Sequence, residues 1–238
     1  MQRKITKKRR KPQTLSIFFV TLHQKLIDMQ EIKIISAYRQ SLKTRILEAA
    51  TDAFSQKGIK SVRMDDIAKS LNISKRTLYE IYENKEVLLF ECIKSTKALS
   101  QQEMMLIATQ QSNVMDIILA IYRSKMAQLQ KINPQFYTDL EKYPELQSFL
   151  ELQHDEDRTQ LKNFLNRGID EGYFKGDINV DIIANIFDAI NEYMKSHKLY
   201  TEFPIDQLFN NMLFVTIRGI CTQKGVVVID NFLTGAQV

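Results

Sequence analysis

The chain has 238 residues, enough for one or two domains with a full hydrophobic core. Hydrophobic residues make up 44%, which excludes a disordered chain, and only seven glycines and four prolines suit an all-helical one. The formal charge of +5 does not by itself argue for nucleic acid, because it is unevenly spread. Residues 1–40 carry ten Lys/Arg against two Asp/Glu, residues 41–100 eleven against eight, and residues 101–238 twelve against eighteen. Overall basicity therefore belongs to the N-terminal extension. The useful asymmetry is a locally basic segment beside an acidic remainder.

Residues 1–40 open with Arg3, Lys4, Lys7, Lys8, Arg9, Arg10 and Lys11. We expect a flexible, solvated extension; a basic arm lying on DNA phosphates or in the minor groove is the functional alternative. Leu15 to Leu22 is too short and too rich in Ser and Thr to span a bilayer, and no small-residue cleavage site follows it.

From residue 42 onward, periodicity and punctuation predict helices near 42–57, 64–71, 75–81, 85–110, 113–131, 134–142, 144–171, 179–199 and 204–223. Gly58 stops the first, with Lys57 in its last turn. Pro134, Pro144 and Pro204 fall at helix starts, where a missing N–H costs nothing. Gly172 to Asp177 is the clearest loop, and Val226–Ile229 reads as a short C-terminal tail.

Residues 61–85 carry the most functional information. Ile67, Ala68 and Leu71 share one face of a short helix, and Leu78, Ile81 and Tyr82 share one face of the next. Asn72 sits where the turn between them needs a left-handed backbone. Ser74 caps the second helix, which carries Lys75, Arg76, Thr77 and Tyr79 near its start, and Asn84 caps the helix after it. This is the layout of a helix-turn-helix, whose second helix enters the DNA major groove. Taken alone, two short amphipathic helices around an Asn turn also occur in helical proteins with no DNA partner.

The ordered set Arg45-Ile46-Leu47-Glu48-Ala49-Ala50, Phe54, Lys57-Gly58, Met64-Asp65-Asp66-Ile67-Ala68, Ile73 to Tyr79 and Lys85 to Leu89 resembles the N-terminal domain of TetR-family transcriptional regulators. The chain departs from that family at three places: Val62-Arg63 where a capping Thr is common, Arg76 where Gly is common, and Ile81-Tyr82 where an aromatic-Phe pair is common. The second departure puts an extra long cation at the groove. Met29 is a second candidate start, since members of the family usually begin shortly before their first helix.

The resemblance implies an all-α protein. A three-helix DNA-binding domain (41–88) follows the extension (1–40) and precedes a larger helical effector-binding and dimerisation domain (89–238). It implies a DNA-binding set of Arg63, Ser74, Lys75, Arg76, Thr77, Tyr79, Tyr82 and Lys85. In the family the last two long helices pair with those of a second subunit, and a palindromic operator suits such a homodimer. Ile183, Ile186, Phe187, Ile190, Leu208, Phe209, Met212 and Ile217 are the expected interface; burial inside a monomer is the plain alternative. The family also encloses a small-molecule effector among its middle helices. Met104, Tyr122, Met126, Phe136, Tyr137, Phe149 and Phe164 are candidates, although ordinary core packing accounts for any one of them.

Other chemistry finds little support. His23, His154 and His197 have no metal-ligand spacing, and no phosphate loop or nucleophile elbow occurs. Asp139, Glu141 and the run His154-Asp155-Glu156-Asp157 read as solvated helix faces. Cys92 and Cys221 read as reduced core residues of a cytoplasmic protein. The expectation is a non-enzymatic regulator without metal or cofactor, bound to double-stranded DNA and away from the membrane. A helical protein–protein interaction or ligand-binding module that ignores DNA is the alternative.

Overall fold

The computed structural model describes residues 13–235, and eleven α-helices account for most of them. Helix α1 spans Gln13–Lys57, α2 Met64–Ser70, α3 Lys75–Ile81, α4 Lys85–Gln110, α5 Val114–Leu129 and α6 Pro134–Leu140. Then come α7 Pro144–Leu152, α8 His154–Asp170, α9 Val180–Ser196, a 3-10 turn at Leu199–Thr201, α10 Ile205–Ile220 and α11 Gln223–Leu233. Among the described residues the only β pairing is an isolated bridge between Phe174 and Cys221.

Local chemistry explains most boundaries. Gly58 ends α1 with φ of 79°, and its N–H donates to the Phe54 carbonyl at 3.0 Å. Asparagines cap α4, α5, α6 and α9: Asn84, Asn113, Asn133 and Asn179 each accept from first-turn backbone N–H groups. Pro134 and Pro144 occupy the first turns of α6 and α7, as expected.

Three segments differ from the sequence expectation. Among the described residues the backbone is helical from Gln13 onward, ahead of the helix expected from residue 42; no Gly or Pro interrupts the chain from there to Lys57. The basic residues Arg3 to Lys11 lie outside the described residues. The single helix expected over 144–171 is two, α7 and α8, meeting at Gln153. Asp155, Glu156 and Asp157 occupy the first turn of α8, where the helix dipole favours acids. The tail expected at Val226–Ile229 is inside α11, where Ile229 is fully buried; tertiary burial overrides the β-branched run.

Contacts divide the chain into two units, Met1–Ile46 and Leu47–Val238. Within the second unit, Val114, Met115, Ile118 and Leu119 of α5 form a core with Leu165 of α8, Phe187 of α9, Phe214 and Ile217 of α10, and Ile229. Tyr122 sits among three rings, 4.9 Å from Phe214, 5.4 Å from Phe232 and 6.3 Å from Phe209 between centroids.

The loop after α8 is stapled to the turn between α10 and α11. Lys175 N–H donates to Ile220 O at 2.9 Å, Thr222 N–H to Tyr173 O at 2.9 Å, and the Thr222 hydroxyl to Gly172 O at 2.8 Å. This staple folds the buried Phe174 ring over Gly168, where an added methyl carbon would lie 2.1 Å from ring carbon Cδ2. Gly168→Ala should therefore lower unfolding free energy by about 1–3 kcal/mol, as overpacked cores do. Gly176→Ala, with open space around it, should leave the urea midpoint within experimental error. Equal midpoints for the two variants would contradict this packing.

Candidate nucleic-acid interface

Each part of the expected helix-turn-helix is in place. Asn72 has φ of 53°, the left-handed residue that turns the chain from α2 into α3. Ser74 Oγ accepts from Thr77 N at 3.0 Å and lies 2.8 Å from the Thr77 hydroxyl. Where the family often has a capping Thr, this chain uses the other half of a capping box: Asp66 Oδ2 accepts from Arg63 N at 3.1 Å. Helix α2 packs on α3, with Ile67, Ala68 and Leu78 all buried.

The opposite face of α3 is exposed. The Arg76 side chain is 89% exposed and that of Lys75 61%, while Tyr79 stands 47% exposed. Both cations have acidic partners. Lys75 pairs with Asp65 of α2, and Arg76 Nε donates to Glu80 Oε1 at 2.8 Å. Arg63 and Ser74 are also exposed, and Thr77 is half-buried against its cap.

One expected contact needs correction. Tyr82 is 6% exposed and belongs to the interior of the head, as its shared face with Leu78 implies. Burial pushes its phenol pKa up to about 12. The Lys85 side chain also turns inward: its Nζ donates to the Val62 carbonyl at 2.5 Å and lies 5.9 Å from the Phe54 ring centroid. Burial pulls this ammonium below its ordinary pKa, with Asp139 opposing the shift. The backbone N–H groups that open α4 are a separate feature, and Asn84 Oδ1 takes the one at Val87.

Sequence reasoning missed how the head is tied to α6. Asp139, expected on a solvated face, is 2% exposed. It accepts from Lys60 N at 2.8 Å, Gln135 Nε2 at 3.1 Å and Lys142 Nζ at 3.0 Å. Asn133 N–H donates to Ser55 O at 2.8 Å, and its amide to Gln56 O at 3.3 Å. Helix α6 thus holds the connection between α1 and α2 through both of its ends. At its far side Glu141 accepts from Tyr200 and pairs with Lys198 at 2.7 Å. Burial disfavours the Asp139 carboxylate, but its donors outweigh that and hold its pKa below the usual range.

The expected interface residues of α9 and α10 separate into two groups. Phe187 and Ile217 are buried in the chain's own core and are corrected to the interior, while Ile183 packs half-buried against that core and Phe209, also half-buried, stacks on Tyr122. Ile186, Ile190, Leu208 and Met212 instead line an open apolar groove of about 480 Å³. Met194 and Tyr193, which the α9 apolar stripe already includes, line it too, as do Ala189, Leu199 and Phe203, not anticipated from sequence.

The seven expected effector residues do not line one cavity. Met104 is exposed on α4, Tyr122 and Phe164 pack in the body core, Phe149 meets Phe90, and Tyr137 meets Tyr200. Phe136 packs on Tyr137, and Met126 is half-buried on α5. Neither the α9–α10 groove nor a second, polar groove lined by Glu141, Gln147 and Lys195 includes any of the seven. Among the described residues, no group of three or more His, Cys, Asp or Glu is placed to hold a metal, and no helix is long and apolar enough to cross a membrane.

Residues 46–92 match the family model of bacterial regulatory proteins of the tetR family. In this segment the chain is similar to TetR-family regulators. It is 24% identical over 193 residues to the transcriptional repressor KstR2 of Mycobacterium tuberculosis, covering 78% of this chain and 96% of that one. It is 49% identical over 49 residues to the transcriptional regulator YhgD of Bacillus subtilis, covering 21% and 26% of the two chains. A transcriptional regulator from Saccharomonospora viridis, crystallised with choline, shares the fold with a TM-score of 0.62 at 17% identity. That match covers 77% of this chain and all of the other. The local match to YhgD falls on a stretch the length of a TetR-family head, whereas KstR2 extends the likeness through the body. DNA-binding regulation is the function these relatives share, and the alternative of a module indifferent to DNA is not favoured.

Asp139→Ala strips three donors of their acceptor and should cost about 1–3 kcal/mol of stability. Amide exchange at Lys60 should accelerate more than exchange in the α5 core. Because the folded-state pKa is depressed, the wild type should lose Asp139's contribution as pH falls through that value, and the variant should show a shallower acid limb. An unchanged acid limb would contradict the assigned role.

Proposed function

We propose that this chain is a TetR-family regulator that acts as a homodimeric repressor on a palindromic operator, and that a small, mostly apolar effector releases it. The observation that carries this reading is the two-sided character of α3. One face, at Leu78, is fully buried, while the other presents Lys75, Arg76 and Tyr79 to solvent. A second copy seated on the α9–α10 groove would bury Ile186, Ile190, Leu208 and Met212, and would set two α3 helices on successive major grooves, about 34 Å apart. Lys75 contacts phosphate, Arg76 reaches the bases, and Thr77 and Tyr79 contact phosphates or thymine methyls. The free backbone N–H groups at the start of α4 hold a further phosphate. The protein works in the cytoplasm, where its DNA is.

Release follows from unequal binding of the effector to two states of the body. Helix α6 is placed to pass such a change on, since it hydrogen-bonds the α1–α2 connection at one side and Tyr200 at the other. The Lys75–Asp65 pair sets how much cation the operator meets.

Footprinting the purified protein on DNA flanking its own gene should reveal two protected half-sites. Lys75→Ala should weaken binding to operator and random duplex alike. It should also flatten the slope of log K against log salt by about 0.9 for each phosphate that is no longer neutralised. Asp65→Ala, which frees Lys75, should tighten random-duplex binding. Absence of any protected site at low salt would overturn the reading; identical salt slopes for all three proteins would remove Lys75 from it.

A further inference from the structure

Resting on that reading, the geometry points to Arg76 as the reader of a guanine, with Glu80 as the residue that positions it. Helix α3 carries two cations, and they are held differently. Lys75 is drawn back towards Asp65 on the neighbouring helix. Arg76 and Glu80 lie four residues apart on α3 itself, 89% and 58% exposed. Their contact runs from Nε to Oε1 at 2.8 Å, so it uses the inner edge of the guanidinium. The two Nη groups have no partner among the described residues. A planar fork anchored at its base keeps its outer donors in one plane, with less rotamer freedom left to lose on binding.

The charge of the pair decides what the fork suits. Arg76 with Glu80 is nearly neutral, so a phosphate gains little from Arg76 and is repelled by Glu80. A guanine edge in the major groove offers two acceptors, O6 and N7, to two parallel N–H donors. The paired cytosine presents an N4 amino group, which tolerates a nearby carboxylate. The pair therefore favours a G·C base pair over the backbone, and each operator half-site should contain one that depends on Arg76.

The test uses the full-length protein and its footprinted operator, with each base pair of a half-site replaced in turn. For the wild type, replacing one G·C pair should cost about tenfold in affinity, the scale of a bidentate base contact. Arg76→Ala should be indifferent to that replacement. Arg76→Lys, which cannot make the fork, should lose most of the discrimination. Glu80→Ala should flatten the preference at the same base pair while tightening binding to random duplex, a combination that mere misfolding does not produce. Adding Glu80→Ala to Arg76→Ala should change the preference no further. The proposal is overturned if Glu80→Ala keeps the wild-type preference at every position. It is also overturned if Arg76→Ala keeps that preference while Glu80→Ala loses it, since Glu80 would then read the base itself. Failure of the wild type to select any site would instead refute the repressor reading.

Discussion

Helix α3 has seven residues, too few to persist alone in water, so everything it presents to a partner depends on what holds it. Leu78 is fully buried on one side, the Asn72 turn fixes its approach to α2, and Ser74 satisfies the N–H of Thr77. The exposed residues inherit their positions from these three features. Asp65, on α2, then reaches across to Lys75, so the spacing of the two helices also sets the charge displayed. The same packing that makes the motif a stable fold makes it a template.

That template is anchored to the rest of the second unit by polar contacts rather than by apolar ones alone. Asp139 and Asn133 of the α6 region satisfy backbone groups at Ser55, Gln56 and Lys60. A buried carboxylate with three donors is directional, so it specifies one relation between α6 and the α1–α2 connection where greasy contacts would permit sliding. The Lys85 side chain works from within the head in a similar way, closing on the Val62 carbonyl. Helix α6 also meets Tyr200 at the corner leading from α9 to α10. The apolar groove and the helix-turn-helix are thereby linked through a single short element.

Features with a local cause were legible in the sequence. Asn72, Ser74, Asn84, Gly58 and the helix-start prolines act through their own turn of backbone, and each does in the structure what its type predicts. Tyr82 was legible too, through its apolar-face spacing. Its closeness to the motif suggests a DNA contact, but the spacing is the better guide. Features with a tertiary cause were hidden. Nothing near Asp139 marks it as buried, because its partner Lys60 is 79 residues away. The break at Gln153 has no Gly or Pro to announce it. On α9 and α10, periodicity found the apolar residues but could not sort inward from outward, because both helices carry two apolar sides. The scattered effector candidates had no spacing signal at all, only composition.

On the proposed reading, operator recognition depends most on two copies of α3 being presented together by the α9–α10 face. Ile186 tests this directly, since its side chain stands 41% exposed on the single chain and lines the open groove. Sedimentation of Ile186→Asp beside the wild type, with and without operator duplex, is the decisive measurement. The expected result is a helical monomer that binds random duplex nearly as well as before but loses at least about tenfold in operator affinity, because one recognition helix then meets only one half-site. A variant that stays dimeric, or a monomer that holds the operator as tightly as the wild type, would contradict it.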